Sequence, residues 1–165
     1  MTSAPLTVVA GDDRSADDSG DVSVDVERWR RLALAVLRDS EAEGELTLTF
    51  VDRDDIAELN AEYMGKNGPT DVLSFPMGDE PLDGVPTLLG DVVISPAIAA
   101  EQFAEHAGTL DDELALLVVH GVLHVLGHDH AERDEAELMR DRELDLLERF
   151  HWHGGAPVGF RQTHD

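Results

Sequence analysis

A chain of 165 residues with 42% apolar side chains is long enough for one domain with a real core. Its 36 acidic against 12 basic residues leave a net charge of −24, which repels polyanions at long range and argues against a non-specific nucleic-acid binder. The chain has no cysteine, no charged-then-apolar leader and no apolar run near the ~20 residues of a membrane span, so disulfides and thiol chemistry drop out and a cytoplasmic, membrane-free protein is expected.

Residues 1–5 are expected to be a loose end, and Leu6 to Ala10 a short first strand. Gly11 to Asp21 is acidic and aperiodic, a loop. Asp25 is placed to cap a helix whose apolar positions Val26, Trp29, Ala33 and Val36 keep a three-four spacing. Arg28, Arg30 and Arg31 lie on that helix, and a solvated face is favoured for them over contact with a polyanion. Leu46 to Phe50 alternates strictly, as a strand with one buried face does. Asp52 then opens a helix with Ile56, Leu59 and Tyr63 on one side.

The loop Met64 to Thr70 holds Lys66, the only lysine of the chain. It leads into a strand from Thr70 to Phe75, stopped by Pro76. Gly78 to Gly84 is rich in turn formers, and Asp91 to Ser95 is Val/Ile-rich like a central strand. Pro96 suits the first turn of a helix carrying Ile98, Phe103 and a surface His106. Thr109 with Asp112 three residues on resembles a capping pair for the next helix.

That next helix carries the chemistry. The run Leu114 to Gly127 is apolar enough to be buried, yet it contains His120 and His124, four apart and therefore on one face. Two imidazoles on one face of a buried helix form a chelating pair. A straight continuation would put His128 ~12 Å along the axis from His120, beyond what one ion with bonds of about 2.0–2.1 Å spans. Gly127 suits a left-handed helix end, after which the chain can fold His130 back towards the first two rings. A three-histidine site from His120, His124 and His130 is thus expected. Three nitrogen ligands without cysteine point to Zn2+ with one position left for water, although affinity order alone leaves nickel, copper and iron open.

Asp129 and Glu132 repeat the capping pattern of Thr109 and Asp112 at the start of the last helix, Ala131 to Phe150. Asp129 reads as a cap, or as a carboxylate orienting a ligand histidine, and the two are compatible. Nothing in the tail, which holds His151, His153 and His164, marks a second site, and residues 155–165 are expected to be a loose end. The elements add up to a single α+β domain over residues 1–165, an approximately four-stranded mixed sheet packed with helices, with the metal-bearing helix central.

The segment His120 to His130, HGVLHVLGHDH, resembles the H-G-x-L-H-x-x-G-x-D-H signature of the YbeY-type endoribonucleases, bacterial rRNA maturation factors. Two upstream blocks extend the resemblance, PTDVLSFPM from Pro69 to Met77 and LLGDVVIS from Leu88 to Ser95. The resemblance implies zinc on His120, His124 and His130, single-stranded rRNA precursor as substrate, maturation at the end of the small-subunit rRNA, and association with the small ribosomal subunit. Family members commonly carry an arginine directly after the tyrosine of the loop that lines the cleft opposite the zinc. Here that position is Met64, which leaves Lys66 as the candidate catalytic cation for a phosphate.

A zinc ion on three neutral imidazoles keeps its double charge, lowers the pKa of bound water to roughly 7 and polarises a phosphoryl or carbonyl oxygen, so hydrolysis or a related transfer is expected. Two other classes remain open. A metallopeptidase places glutamate directly after the first histidine as base, whereas position 121 is Gly, although the long histidine spacing resembles that of the metzincins. A zinc-stabilised module docking on the ribosome is the non-enzymatic alternative, and three ligands instead of four argue against it.

Overall fold

The computed structural model describes residues 6–15, 22–77, 88–128 and 132–162. Four strands form one sheet in the order β1-β2-β4-β3, from β1 (Leu6–Asp12), β2 (Gly44–Phe50), β3 (Val72–Pro76) and β4 (Leu88–Ile94). β1 runs parallel to β2 and β2 parallel to β4, while β3 lies antiparallel on the edge beside β4. The mixed four-stranded α+β architecture is the one expected from the pattern of elements.

Alternation decides which face of the sheet is covered. Leu46, Leu48 and Phe50 of β2 are fully buried together with Val92 and Ile94 of β4, and they meet helix α4 (Leu110–Val125). The opposite face keeps Thr47, Thr49 and Asp91, and only at one end does helix α2 (Arg53–Met64) cover it, where Ile56 packs with Val51, Leu73 and Val93. Tyr63, expected on the buried side of α2, is 60% exposed, with its ring edge-on to Phe75 of β3 at 5.4 Å.

Helix α1 (Val26–Asp39) and helix α5 (Arg133–Leu147) flank α4, which is buried without interruption from Asp112 to Leu123. Each Leu or Val buried there contributes about 1.5–3 kcal/mol, so α4 is the most heavily invested element of the fold. A short helix α3 (Pro96–Gln102) with a 3-10 turn (Phe103–Glu105) leads into it.

The caps explain several boundaries. Asp25 accepts from Arg28 N at 3.2 Å and Thr109 Oγ1 from Asp112 N at 3.1 Å, as their spacing suggests. Asp52 stands at the N-cap of α2, so that helix opens where the sequence places it. Its carboxylate makes no cap bond on α2 and accepts from Ser15 N at 3.1 Å instead, fastening the segment after β1. The last helix is shorter than Ala131 to Phe150, giving way after Leu147 to a π-helical turn, Glu148–Trp152.

The tail is not loose through Gln162. Phe160 meets Trp152 edge-on at 4.7 Å, and Arg161 N donates to His106 O at 3.1 Å. Residues 1–5, Gly78 to Gly84 and His164 lie outside the described residues.

Candidate metal centre

Helix α4 sets the site by its own geometry. At i and i+4 the rings of His120 and His124 stack on one face with centroids 4.5 Å apart and planes at 78°, and their Nε2 atoms stand 3.1 Å from each other. His120 is only 5% exposed. Its other ring nitrogen, Nδ1, lies 2.6 Å from Glu143 Oε2. A carboxylate only accepts, so Nδ1 carries the proton and the Nε2 lone pair faces His124. Two ring nitrogens hold that separation favourably only with a proton or a cation between them. Nitrogen ligands of a tetrahedral ion with bonds of 2.0–2.1 Å lie about 3.3 Å apart, so the pair fits a zinc ion with little movement.

Glu143 escaped the sequence reading. It lies on α5, 3% exposed, one turn from Met139 and one turn before Leu146 and Leu147, all three buried. A glutamate on the apolar stripe of a helix is a signal in itself, because a buried carboxylate needs partners. Metal-ligating histidines usually donate their second N–H to such a group, which fixes the tautomer and the ring orientation. Asp129, the carboxylate expected in that part, and His130, the expected third ligand, both lie outside the described residues. Among the described residues no group of three histidine and carboxylate side chains is assembled for a metal.

The turn that would redirect the chain towards His130 is present. Gly127 has φ +102°, its N–H bonds to His124 O at 3.0 Å, and His128 N bonds to Leu123 O at 3.0 Å. This is the Schellman pattern, which ends the helix and turns the chain away from its axis.

Gly121, next to His120, faces the sheet. A Cβ there would stand 2.6 Å from Val92 Cγ1, and Gly121 O accepts from Ser74 Oγ at 3.1 Å. The position at which H-E-x-x-H peptidases carry their base is here a packing position with no room for a side chain.

Lys66 is exposed on its loop and makes no ion pair with a described residue. The loop is tied by Asn60 Nδ2 donating to Gly68 O at 3.0 Å and enters β3 beside Asp71. Asp71 Oδ2 accepts from Gln102 Nε2 at 2.7 Å, and the same nitrogen donates to Glu113 Oε2 at 2.8 Å. Glu113 precedes His120 by seven residues, so this anchor sits about 10 Å along α4 from the histidine pair. His106, expected at the surface, instead packs against buried Glu113, with Nδ1 3.3 Å from its Oε2. The helix α1 arginines are engaged, Arg30 and Arg31 with Glu27 and Arg28 with Asp111.

Comparison with known proteins places these features. Residues 14–151 match the family model described as endoribonuclease YbeY. The chain belongs to the YbeY family. It is 46% identical over 141 residues to the endoribonuclease YbeY of Thermobifida fusca, covering 80% of this chain and 89% of that one. With the protein of the same name from Carboxydothermus hydrogenoformans it shares 50% over 104 residues, 63% of this chain and 71% of the other. The solution structure of TM1509 from Thermotoga maritima shares the YbeY-like fold, with a TM-score of 0.54, 21% identity and coverage of 94% and 99% of the two chains. The matched segment includes both histidines and Glu143 and ends at His151.

Proposed function

We propose that this protein is a zinc-dependent, single-strand-specific endoribonuclease that matures the end of the small-subunit ribosomal RNA in the cytoplasm, in association with the small ribosomal subunit. The observation that carries this reading is the convergence of His120 and His124 at 3.1 Å, with His120 braced by a buried glutamate, in a chain of the endoribonuclease YbeY family. No helix of the described residues is long and apolar enough to cross a membrane.

His120, His124 and His130 would hold the ion, and when bound it supplies Lewis-acid activation of water and of a phosphoryl oxygen. The protein's own part is orientation. Glu143 keeps the proton of His120 on Nδ1, so that Nε2 is always presented as a ligand. Lys66 would neutralise a phosphate of the RNA, being exposed and without an ion pair to a described residue. With a net charge of −24, the chain repels RNA at long range, so binding depends on such local cations and on the ion itself. The peptidase reading loses its base, since residue 121 faces Val92.

The test is incubation of zinc-loaded wild type and His124→Ala with single-stranded RNA and with an unstructured peptide. RNA should be cut by the wild type and at least ~10³-fold more slowly by the variant, because a metal contributes several kcal/mol to such a transition state. Cleavage of the peptide and not of the RNA overturns the reading, and equal metal content in both proteins removes His124 as a ligand. Lys66→Ala should keep its metal, weaken RNA binding across all sequences and lower the salt dependence of log K by about one.

A further inference from the structure

We propose that the C-terminal tail is a working part of the metal centre, with Gln162 as a positioning residue that holds Glu143 and through it the His120 ring. Gln162 Nε2 donates to Glu143 Oε1 at 3.2 Å and to Arg140 O at 3.0 Å, one amide group gripping both the carboxylate and the helix that carries it. Glu143 Oε2 takes His120 Nδ1–H at 2.6 Å. The three side chains thus form a line, amide to carboxylate to imidazole, that ends on the nitrogen facing His124.

The physical need is that of a buried charge. Glu143 is 3% exposed, and a carboxylate taken out of water is held by donors on both oxygens. Its terminal torsion is broad when unconstrained, so a donor on Oε1 adds a restraint against the carboxylate swinging away from His120 Nδ1. Long ordered tails cost entropy, and this one is fastened before it reaches the site. Phe160 packs edge-on against Trp152, whose Nε1 donates to Asp112 of α4 at 2.8 Å, and Arg161 N bonds to His106 O. These pins deliver Gln162 to Glu143. The segment matched to the YbeY family ends at His151, so the latch is built from residues beyond it.

The inference rests on the metal-centre reading and is tested through metal affinity, without RNA. Zinc affinity is measured by competition with a chromophoric chelator for wild type, Gln162→Met, which keeps the reach and loses the donor, and Gln162→Lys, which keeps a donor. The Co2+-substituted proteins are compared by their visible d–d spectra, and the metal-free proteins by their thermal midpoints. Gln162→Met should bind zinc about 10-fold more weakly, the lower end of the effect of outer-shell partners, with an altered Co2+ spectrum and an unchanged metal-free midpoint. Gln162→Lys should stay near wild type. Wild-type zinc affinity in Gln162→Met overturns the latch while leaving the nuclease reading intact. So does equal impairment of both variants in step with a lowered metal-free midpoint, which makes Gln162 a fastener of the tail alone. A wild type that takes up no zinc sinks the latch and the nuclease reading together.

Discussion

The two ends of α4 use the same pair of side chains in opposite ways. Near its N-terminus, Asp112 Oδ1 accepts from His151 Nε2 and from Trp152 Nε1, each at 2.8 Å, and Glu113 accepts from Gln102 Nε2 and from Ala107 N while facing His106. There the carboxylate is the hub and histidine is one donor among several. Near the C-terminus the imidazole is the hub, with Glu143 on one nitrogen of His120 and His124 on the other. A carboxylate hub gathers hydrogens and staples elements together. An imidazole with one nitrogen committed and the other directed at a second imidazole presents lone pairs, and lone pairs bind cations. A histidine–carboxylate contact in this fold is therefore a candidate metal site only when the histidine's second nitrogen meets another imidazole.

The sharpest way to break this comparison is to remove one carboxylate from each end. Glu143→Ala should weaken zinc binding by about 10–100-fold, the usual cost of losing a ligand's outer partner, and RNA cleavage should return with excess zinc. Glu113→Ala should leave zinc affinity unchanged and cost about 1–3 kcal/mol in urea unfolding, since it strands the buried Ala107 N–H. If both variants lost metal equally, the two ends would not differ in kind.

A second change moves the platform instead of the ligands. Gly121→Ala brings a methyl group to 2.6 Å from Val92 Cγ1, between α4 and the sheet. Overpacking of this sort should cost about 1–3 kcal/mol in urea unfolding. A stability within experimental error of wild type would mean that α4 can lift off β4, and that the histidine pair does not depend on a fixed distance to the sheet.

What the sequence revealed and what it hid follow from range. His120 and His124 were legible because i, i+4 spacing is a local property, and so was the helix end at Gly127, whose left-handed φ the residue type announces. Leu46 to Phe50 declared its buried face by alternation. The sheet order was not legible, because nothing local says that β2 sits between β1 and β4. Glu143 was missed because a glutamate on a charged helix reads as solvated until it is seen in register with Met139 and Leu146. The partners of His106, Gln162 and the Asp52 carboxylate were hidden for a related reason. Each of these residues is polar and next to a turn, and its partner lies in a different element.

The smallest effect concerns a third kind of carboxylate, one that meets arginine instead of histidine. Asp39, the last residue of α1, lies 2.6 Å from Arg149 and 2.6 Å from Arg142, tying α1 to α5 and to the π-helical turn. Hydrogen bonds from Arg149 first and Arg142 second hold its carboxyl below the usual value of about 4. A depressed folded value means that the contribution is complete above pH ~4 and is lost as the pH falls through the folded value. Its side chain is 18% exposed and both arginines are more open, so solvent screening keeps the contribution of the network small. Asp39→Asn should therefore unfold at lower urea than wild type at pH 7, and the gap should narrow as both proteins are taken below the ordinary carboxylate value. A gap that stays constant across that range would assign the effect to neutral hydrogen bonding. Asp39 would then staple by gathering hydrogens, as Asp112 and Glu113 do, without drawing on charge.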